Sequence, residues 1–164
     1  MKVRLFYEDP SQLSALKPNA FAAYLSDRTG RAFRVVGTQQ SDETNFRLAA
    51  ASKPFSEEVL VFLGYRAQFA HVETAQGMVD ALGFATPGTA CAYVSFLPQE
   101  PVTCKLQGHL QPIQPAYAYS AHEIGHLMGL GHSRTGIMGH GVFQLCESDS
   151  FTTPQRAVLQ RWGA

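Results

Sequence analysis

The sequence predicts one mixed α/β (α+β) domain with a twisted, mostly parallel sheet of about five strands. Strand-like and helix-like segments alternate over the first half of the chain, as they do in β-α-β units. The run from Val59 to Gly64 is apolar throughout, which is typical of a central strand covered on both faces. The 164 residues, 45% of them hydrophobic, are enough for a single domain with its own core.

The N-terminal part is predicted to alternate between strand and helix. Val3 to Tyr7 contains bulky β-formers and indicates a first strand. A helical segment follows from Pro10 to Arg28, and Pro18 is expected to break it in two. Phe33 to Gly37 indicates a second strand. Ser41 to Ser52 begins with a plausible cap and indicates a short helix.

The middle of the chain gives weaker signals. Apolar residues between Val72 and Leu82 fall at helical spacing, but Gly77 makes a loop almost as compatible with the pattern. Thr89 to Phe96 is predicted to be a buried strand. Pro98 to Pro115 contains four prolines, so we expect a connector without one long regular element.

Two helices are predicted in the C-terminal part. The first extends from Pro115 to Met128. The second begins at Thr153-Pro154 and continues through Val158, Leu159 and Trp162. Thr at the cap and Pro in the first turn are the start signals.

Composition and charge narrow the function classes. Thirteen basic residues balance thirteen acidic ones, so nothing favours nucleic acid or a charged membrane surface as a partner. The apolar runs have the length of strands and are too short to cross a bilayer. No signal peptide is visible at the N-terminus, so either the natural protein starts here and stays inside the cell or a leader has been removed. Of these two alternatives we favour secretion.

The cysteines leave the redox compartment open. Cys91, Cys104 and Cys146 permit one disulfide and a free thiol, or three reduced thiols, and none has the spacing of a second metal site. His71 and His109 are expected to lie on the surface.

Residues 122–132 read HEIGHLMGLGH and carry the most informative pattern of the chain. His122 and His126 are four residues apart, so on a helix they project from one face and can reach one ion. Gly129 stands where the helix should end, because this position often needs a positive φ. His132 can then return from the loop and complete a three-histidine set. Three protein ligands and an open position are typical of one catalytic Zn²⁺ ion.

Glu123 is predicted to be the general base of this centre. It follows the first ligand directly and cannot share its direction on the helix, which suits a residue that acts on water. Zinc lowers the pKa of a bound water to about 7. Glu123 would take a proton during attack on a peptide carbonyl and pass it to the leaving amine. The plain alternative is a core helix with surface histidines, but chance would produce the five fixed positions only about 3 × 10⁻⁵ times per chain.

The pattern H-E-x-x-H-x-x-G-x-x-H followed by a methionine resembles the signature of the metzincin clan of zinc metallopeptidases. Ser133 after the third histidine resembles the matrixins, and the family within the clan is left unassigned. The resemblance implies roles for five residues: His122, His126 and His132 as zinc ligands, Glu123 as general base, and Met138 as the Met-turn residue beneath the metal. It also implies an upper subdomain with the sheet and active-site helix (about 1–132) and a lower one with the Met-turn and terminal helix (about 133–164).

Two departures from the clan pattern follow the third histidine. The six-residue interval from His132 to Met138 is shorter than in the families compared, which should shrink the lower wall of the cleft. His140 stands where astacins and serralysins have a tyrosine. It could bind the metal or donate a hydrogen bond to the oxyanion, or it could be an exposed loop residue. Val142 and Phe143 could line the substrate pocket or pack against the core.

Leu82 to Ala85 resembles the edge strand at the upper rim of the metzincin cleft, to which an extended peptide adds as one more strand. Gly83, Phe84 and Ala85 are therefore candidate substrate-rim residues, and an ordinary turn is the alternative.

Together these features imply a zinc-dependent metalloendopeptidase that acts on peptide or protein substrates as a monomer, without a nucleic-acid or membrane partner. Additional structural Ca²⁺ or Zn²⁺ is left open. One alternative is an archaemetzincin-like aminopeptidase, although that group's extra cysteines after the third histidine are missing here. The other is a catalytically silent, zinc-dependent peptide-binding module, which would have no use for Glu123.

Overall fold

The computed structural model describes residues 1–51, 58–65, 70–74, 77–85, 88–98, 102–106, 109–113, 115–139 and 149–162, with the backbone alone for residues 70–81, 102–113 and 115 within these ranges. The strands are β1 (Lys2–Tyr7), β2 (Arg34–Gln40), β3 (Glu58–Gly64), β4 (Ala70–Thr74), β5 (Gly77–Ala81), β6 (Gly83–Ala85), β7 (Cys91–Ser95), β8 (Val102–Leu106) and β9 (His109–Ile113). The helices are α1 (Pro10–Leu16), α2 (Pro18–Thr29), α3 (Glu43–Ala50), α4 (Pro115–Leu127) and α5 (Thr153–Arg161). Among these helices, none combines the length and the apolar character that a membrane span requires.

A five-stranded sheet with the order β2-β1-β3-β7-β6 forms the centre of the fold. In this order, β2, β1, β3 and β7 are parallel to one another, and β6 pairs with β7 in the antiparallel direction. The central strand β3 is buried from Val59 to Gly64. The prediction of a mostly parallel, mixed sheet with this segment at its centre is therefore confirmed.

The two faces of the sheet are covered by different helices, because side chains alternate between the faces. On one face α3 inserts Phe46 among Phe6, Leu60, Phe62 and Tyr93. The opposite face carries a larger cluster that joins the sheet to α1, α2, α4 and α5. The members of this cluster include Val3, Leu5, Val59, Val61, Leu63, Phe21, Leu25, Ile124 and Leu159. Burial of each large apolar side chain stabilises the fold by about 1.5–3 kcal/mol, so this second face supports α4 firmly.

The helical segment of the N-terminal part is divided at Pro18, as predicted. Asp9 caps α1 in a capping box with Gln12. Lys17 adopts a left-handed conformation with φ 53° directly before Pro18, which occupies the first turn of α2. Proline clashes with an α-helical conformation of the residue before it, so one helix ends where the next begins.

Several details differ from the sequence prediction, among them the cap of α3, which is Asp42 and not Ser41. Helical spacing or a loop was expected between Val72 and Leu82, but β4 and β5 form an antiparallel hairpin in which Val72 pairs with Val79. So short a segment satisfies periods of 3.6 and 2 about equally well, and Gly77 disfavours helix. The segment from Pro98 to Pro115 has no long element, as expected, but it contains the hairpin of β8 and β9.

The cap of α5 is Thr152 and not Thr153. The Thr152 side chain accepts a hydrogen bond from the Gln155 backbone, and the Gln155 side chain accepts one from the Thr152 backbone. This capping box requires Thr and Gln three residues apart, which only Thr152 satisfies.

Candidate metal centre

Helix α4 lies on the sheet beside β6 and β7 and carries the first part of the predicted centre. Its buried side includes Ala121 and Ile124, which belong to the larger core cluster. His122 and His126 are half-buried, as expected for residues one turn apart at the border of a buried helix face. The core thus fixes the helix, and the helix fixes the spacing of two histidines.

The three predicted ligands meet at one point. The Nε2 atom of His126 lies 3.0 Å from Nε2 of His122 and 3.1 Å from Nε2 of His132. Their ligand atoms all lie within 4.8 Å of one another. Tetrahedral zinc with Zn–N bonds of about 2.0–2.1 Å separates its nitrogen ligands by roughly 3.3 Å, which is close to this arrangement.

Backbone carbonyls select which ring nitrogens face the centre. Nδ1 of His122 donates a hydrogen bond to the Ile137 carbonyl at 2.6 Å, and Nδ1 of His126 donates one to the Leu130 carbonyl at 2.8 Å. With Nδ1 protonated, the Nε2 lone pairs of both rings point toward His132 and toward each other. Converging lone pairs repel unless a cation lies between them, so the donor set fits a metal ion.

The chain leaves α4 through a glycine turn that also positions a ligand. Gly129 has φ 86°, and Leu130 donates its backbone N–H to the Gly125 carbonyl at 2.9 Å. This is the 6→1 hydrogen bond of a Schellman-type helix end. The turn places the Leu130 carbonyl beside His126, so the predicted role of Gly129 in reversing the chain agrees with the structure.

The loop after His132 is closed by backbone hydrogen bonds. Ser133 N–H bonds to the Met138 carbonyl at 2.8 Å, and Ile137 N–H bonds to the Ser150 carbonyl at 3.0 Å. Gly136 has φ 76°, and a Cβ at this position would collide with the Ser150 carbonyl oxygen. The six-residue interval is therefore a compact turn held against residues 149–151.

Met138 lies beneath α4 and is fully buried. Its sulfur would be only 2.6 Å from a Cβ at Gly125, and the Phe151 ring borders the same space. Gly125 stands between the two helical histidines in sequence. The thioether therefore packs against the part of the helix that carries them, and its place beneath a metal, which the metzincin resemblance implies, stays a prediction.

Glu123 follows His122 directly on α4, and its side chain lies against the sheet. Its side chain is 5% exposed, and burial raises its pKa to about 8. A nearby dication would act in the opposite direction by favouring the carboxylate. Its Oε1 atom lies 2.9 Å from where a Cβ of Gly83 would be, so the carboxylate is in contact with β6.

The candidate substrate rim forms the edge strand β6, the last strand of the described sheet. Gly83 pairs with Val94, Phe84 with Tyr93 and Ala85 with Ala92. The segment is thus a strand and not an ordinary turn, while its contact with substrate stays a prediction. His140, Val142 and Phe143 lie outside the described residues.

Sequence reasoning did not identify the contacts of Gly125 and Gly136 or the part played by Asp149. Asp149 accepts hydrogen bonds from Tyr24 and, at 3.0 Å, from Arg28. Positive φ at Gly136 could have been suspected from a glycine in a tight loop. The partners of the other two residues are distant in sequence and gave no signal.

Comparison with known proteins identifies the family of the chain. The family model of the reprolysin-like metallopeptidases of family M12B matches residues 24–133, which include all three histidines and Glu123. No curated protein matches the chain.

Solved structures share the fold over nearly the whole chain. An archaemetzincin from Methanopyrus kandleri is 21% identical with a TM-score of 0.62, and the match covers 98% of this chain and 94% of that one. A zinc-dependent peptidase from Methanocorpusculum labreanum (strain Z) is 16% identical with a TM-score of 0.57, covering 96% and 99%. The family match spans more than half of the 164 residues, so the chain belongs to the reprolysin-like M12B metallopeptidases and is a zinc peptidase of the metzincin clan.

Proposed function

We propose that this metallopeptidase is an endopeptidase that cleaves extended peptide segments, with Glu123 as general base and one zinc ion held by His122, His126 and His132. One observation carries the proposal. The carboxylate of Glu123 is buried against β6, directly after the first helical histidine in sequence. A chain that binds along β6 would therefore pass the base and the three-histidine cluster together.

The residues divide the chemistry among themselves. Zinc, when bound, supplies a Lewis acid that makes water a nucleophile near neutral pH and stabilises negative charge on the substrate oxygen. Glu123 accepts the proton of the attacking water and returns it to the leaving amine. The Ile137 and Leu130 carbonyls orient the rings of His122 and His126 throughout.

The shape of the rim supports internal cleavage. Backbone pairing along an edge strand binds a peptide through its main chain and accepts many sequences. Such pairing requires an extended main chain in the substrate and does not require a free amino terminus. The likeness to an archaemetzincin extends over nearly the whole chain. Cleavage from the N-terminus of the substrate is therefore the alternative against which internal cleavage has to be tested.

Cleavage-site profiling of the zinc-loaded protein on casein and on paired peptides with free and acetylated N-termini tests the proposal. We expect cuts at internal bonds and equal rates for both members of each pair. Rates confined to free N-termini would establish an aminopeptidase. Cleavage of none of these substrates would favour a zinc-dependent binding module.

The matched variant is Glu123→Ala. It should retain zinc and lose at least about 100-fold in kcat, because a general base contributes about 10²–10⁴-fold. Full activity of this variant would remove Glu123 from the mechanism. Metal analysis should give one zinc ion per chain, and sedimentation should give a monomer.

A further inference from the structure

Gly83 meets the side chain of Glu123 at a distance that leaves no room for another side chain. A Cβ on Gly83 would lie 2.9 Å from Oε1 and 3.2 Å from Cγ of Glu123, and 2.8 Å from the carbonyl oxygen of Tyr93. Real Cβ atoms essentially never come within 3.0 Å of another heavy atom, so the contacts with Oε1 and with the Tyr93 carbonyl leave no room. The edge strand therefore bounds the space in which the carboxylate can stand.

The opposite face of β6 is held by an aromatic stack. The rings of Phe84 and Tyr93 lie 4.2 Å apart with an interplanar angle of 10°. The guanidinium of Arg47 lies 5.6 Å from the Phe84 ring and 5.1 Å from the Tyr93 ring, and Arg47 in turn bonds to Glu43. Stacking and cation–π contacts both stabilise this arrangement. These contacts resist an outward shift of β6.

We propose that Gly83 is a positioning residue for the reaction: by lacking a side chain it sets where the Glu123 carboxylate stands, and the Phe84–Tyr93–Arg47 stack keeps β6 at that distance. The inference rests on the proposed function in that it takes Glu123 as the base. It adds that Gly83, a residue of the strand to which the substrate would pair, also determines the position of the base.

A methyl group at position 83 would meet the Tyr93 backbone carbonyl and the Glu123 carboxylate, and of these two the carboxylate can move more easily, so we expect it to be displaced. The glutamate atoms are the end of a flexible side chain, whereas no histidine atom is among the three nearest to a Cβ at position 83. A misplacement of about 1 Å at a reacting group can cost about 100-fold in rate. The change should therefore act on turnover and leave zinc binding intact.

The kinetic test compares Gly83→Ala with Gly37→Ala. Gly37 lies in β2 at the opposite edge of the sheet, where a Cβ would meet the end of the Arg4 side chain at 2.7 Å. We expect Gly83→Ala to lower kcat at least about tenfold with KM within about twofold and full zinc content. Gly37→Ala should match wild type. A raised KM with unchanged kcat would overturn the inference, because it would assign Gly83 to substrate pairing alone.

A stability test needs no activity. Gly83→Ala is made in wild type and in Glu123→Ala, and the melting temperature is measured for all four proteins. Alanine at 83 should cost about 2 °C less where the carboxylate is gone, since one of its two conflicts has been removed. An equal fall in melting temperature in both backgrounds would show that Glu123 does not contact the side chain at position 83.

The two proposals fail in different ways. If Glu123→Ala is as active as wild type, the proposed mechanism fails. If Glu123→Ala is inactive and Gly83→Ala is fully active, only the positioning role fails. Should Gly83→Ala lose zinc, Phe84→Leu replaces it as the test: loss of the stack should lower kcat with zinc retained, and an unchanged kcat rejects the inference.

Discussion

The helix and the loop that form the candidate metal centre are held by different interactions. Helix α4, with His122 and His126, is held by apolar side chains packed on the sheet. The loop that follows His132 is held by backbone hydrogen bonds and by Gly136, whose φ is positive. The helix should therefore tolerate conservative changes of side chain, whereas the loop should be sensitive to changes of backbone conformation.

The loop also depends on a distant anchor. Ser150 accepts the hydrogen bond of Ile137 and lies against Gly136. Its neighbour Asp149 bonds to Tyr24 and Arg28 on α2. The position of His132, the third predicted ligand, thus depends on the contacts of Ser150 with the loop and of Asp149 with α2.

Loss of a ligand on the helix should have the largest effect. His126→Ala removes the ring whose Nε2 contacts both others, so zinc affinity should fall more than about 100-fold. The core beneath the helix should remain folded. Metal analysis and circular dichroism of the purified variant test both parts, and stoichiometric zinc in His126→Ala would mean that the metal lies elsewhere.

Gly136→Ala should be the most damaging change in the loop that leaves every ligand in place. It combines φ 76° with a collision at the Ser150 carbonyl, so we expect a loss of about 3 kcal/mol in unfolding free energy and weaker zinc binding. Denaturant unfolding and zinc titration measure the two effects.

Two controls separate the causes of the Gly136 effect. Gly88 also has φ 76°, but no described atom lies within 4 Å of an added Cβ, so Gly88→Ala reports the cost of backbone conformation alone, about 1–2 kcal/mol. Gly131 lies directly before His132 and has no described neighbour within 4 Å of an added Cβ. Gly131→Ala should bind zinc normally. Equal losses for Gly136→Ala and Gly88→Ala would show that Ser150 does not support the loop.

Asp149→Asn should have a smaller effect, because the site is partly exposed. The change removes the charge that faces Arg28 at 3.0 Å and keeps an oxygen that Tyr24 can donate to. We expect a loss of about 1 kcal/mol and slightly weaker zinc binding. A stability loss without any change in zinc affinity would separate the anchor from the metal centre.

Tyr24→Phe tests the same anchor through pH and should have the smallest effect at neutrality. Burial, and then the Asp149 carboxylate, raise the pKa of the Tyr24 phenol above its ordinary value of 10.0. The unfolded chain ionises first as pH rises, so this contribution is present below about pH 10 and is lost above it. Stability measured between about pH 8 and pH 11 should fall more steeply in wild type than in Tyr24→Phe. Parallel curves of stability against pH for the two proteins would contradict the raised pKa of Tyr24.

The parts of the molecule that were predictable are those governed by local rules. The break at Pro18 follows from proline chemistry, and the end of α4 at Gly129 follows from the need for positive φ. The convergence of the histidines follows from helical spacing plus one chain reversal. Each of these inferences needs only a few neighbouring residues.

The parts that were not predictable depend on partners distant in sequence. The hairpin of β4 and β5 was assigned to helical spacing or a loop, because periodicity in a short segment does not identify a pairing strand. β6 was expected only through the metzincin resemblance. Its contact with Glu123, and that of Gly125 with Met138, arise when the helix packs on the sheet. The subdomain boundary near residue 132 and the cellular compartment stay predictions.

The hydrogen bonds from Nδ1 of His122 and His126 imply that metal binding would also affect the stability of the chain around the site. The Nδ1 atom of each ring bonds to a backbone carbonyl of the turn or the loop, and Nε2 of the same ring would hold the ion. A zinc ion held by these rings would therefore fasten the end of the helix to the chain that follows. Chelation should loosen this segment first, so that its amide hydrogens exchange with solvent while the sheet stays protected.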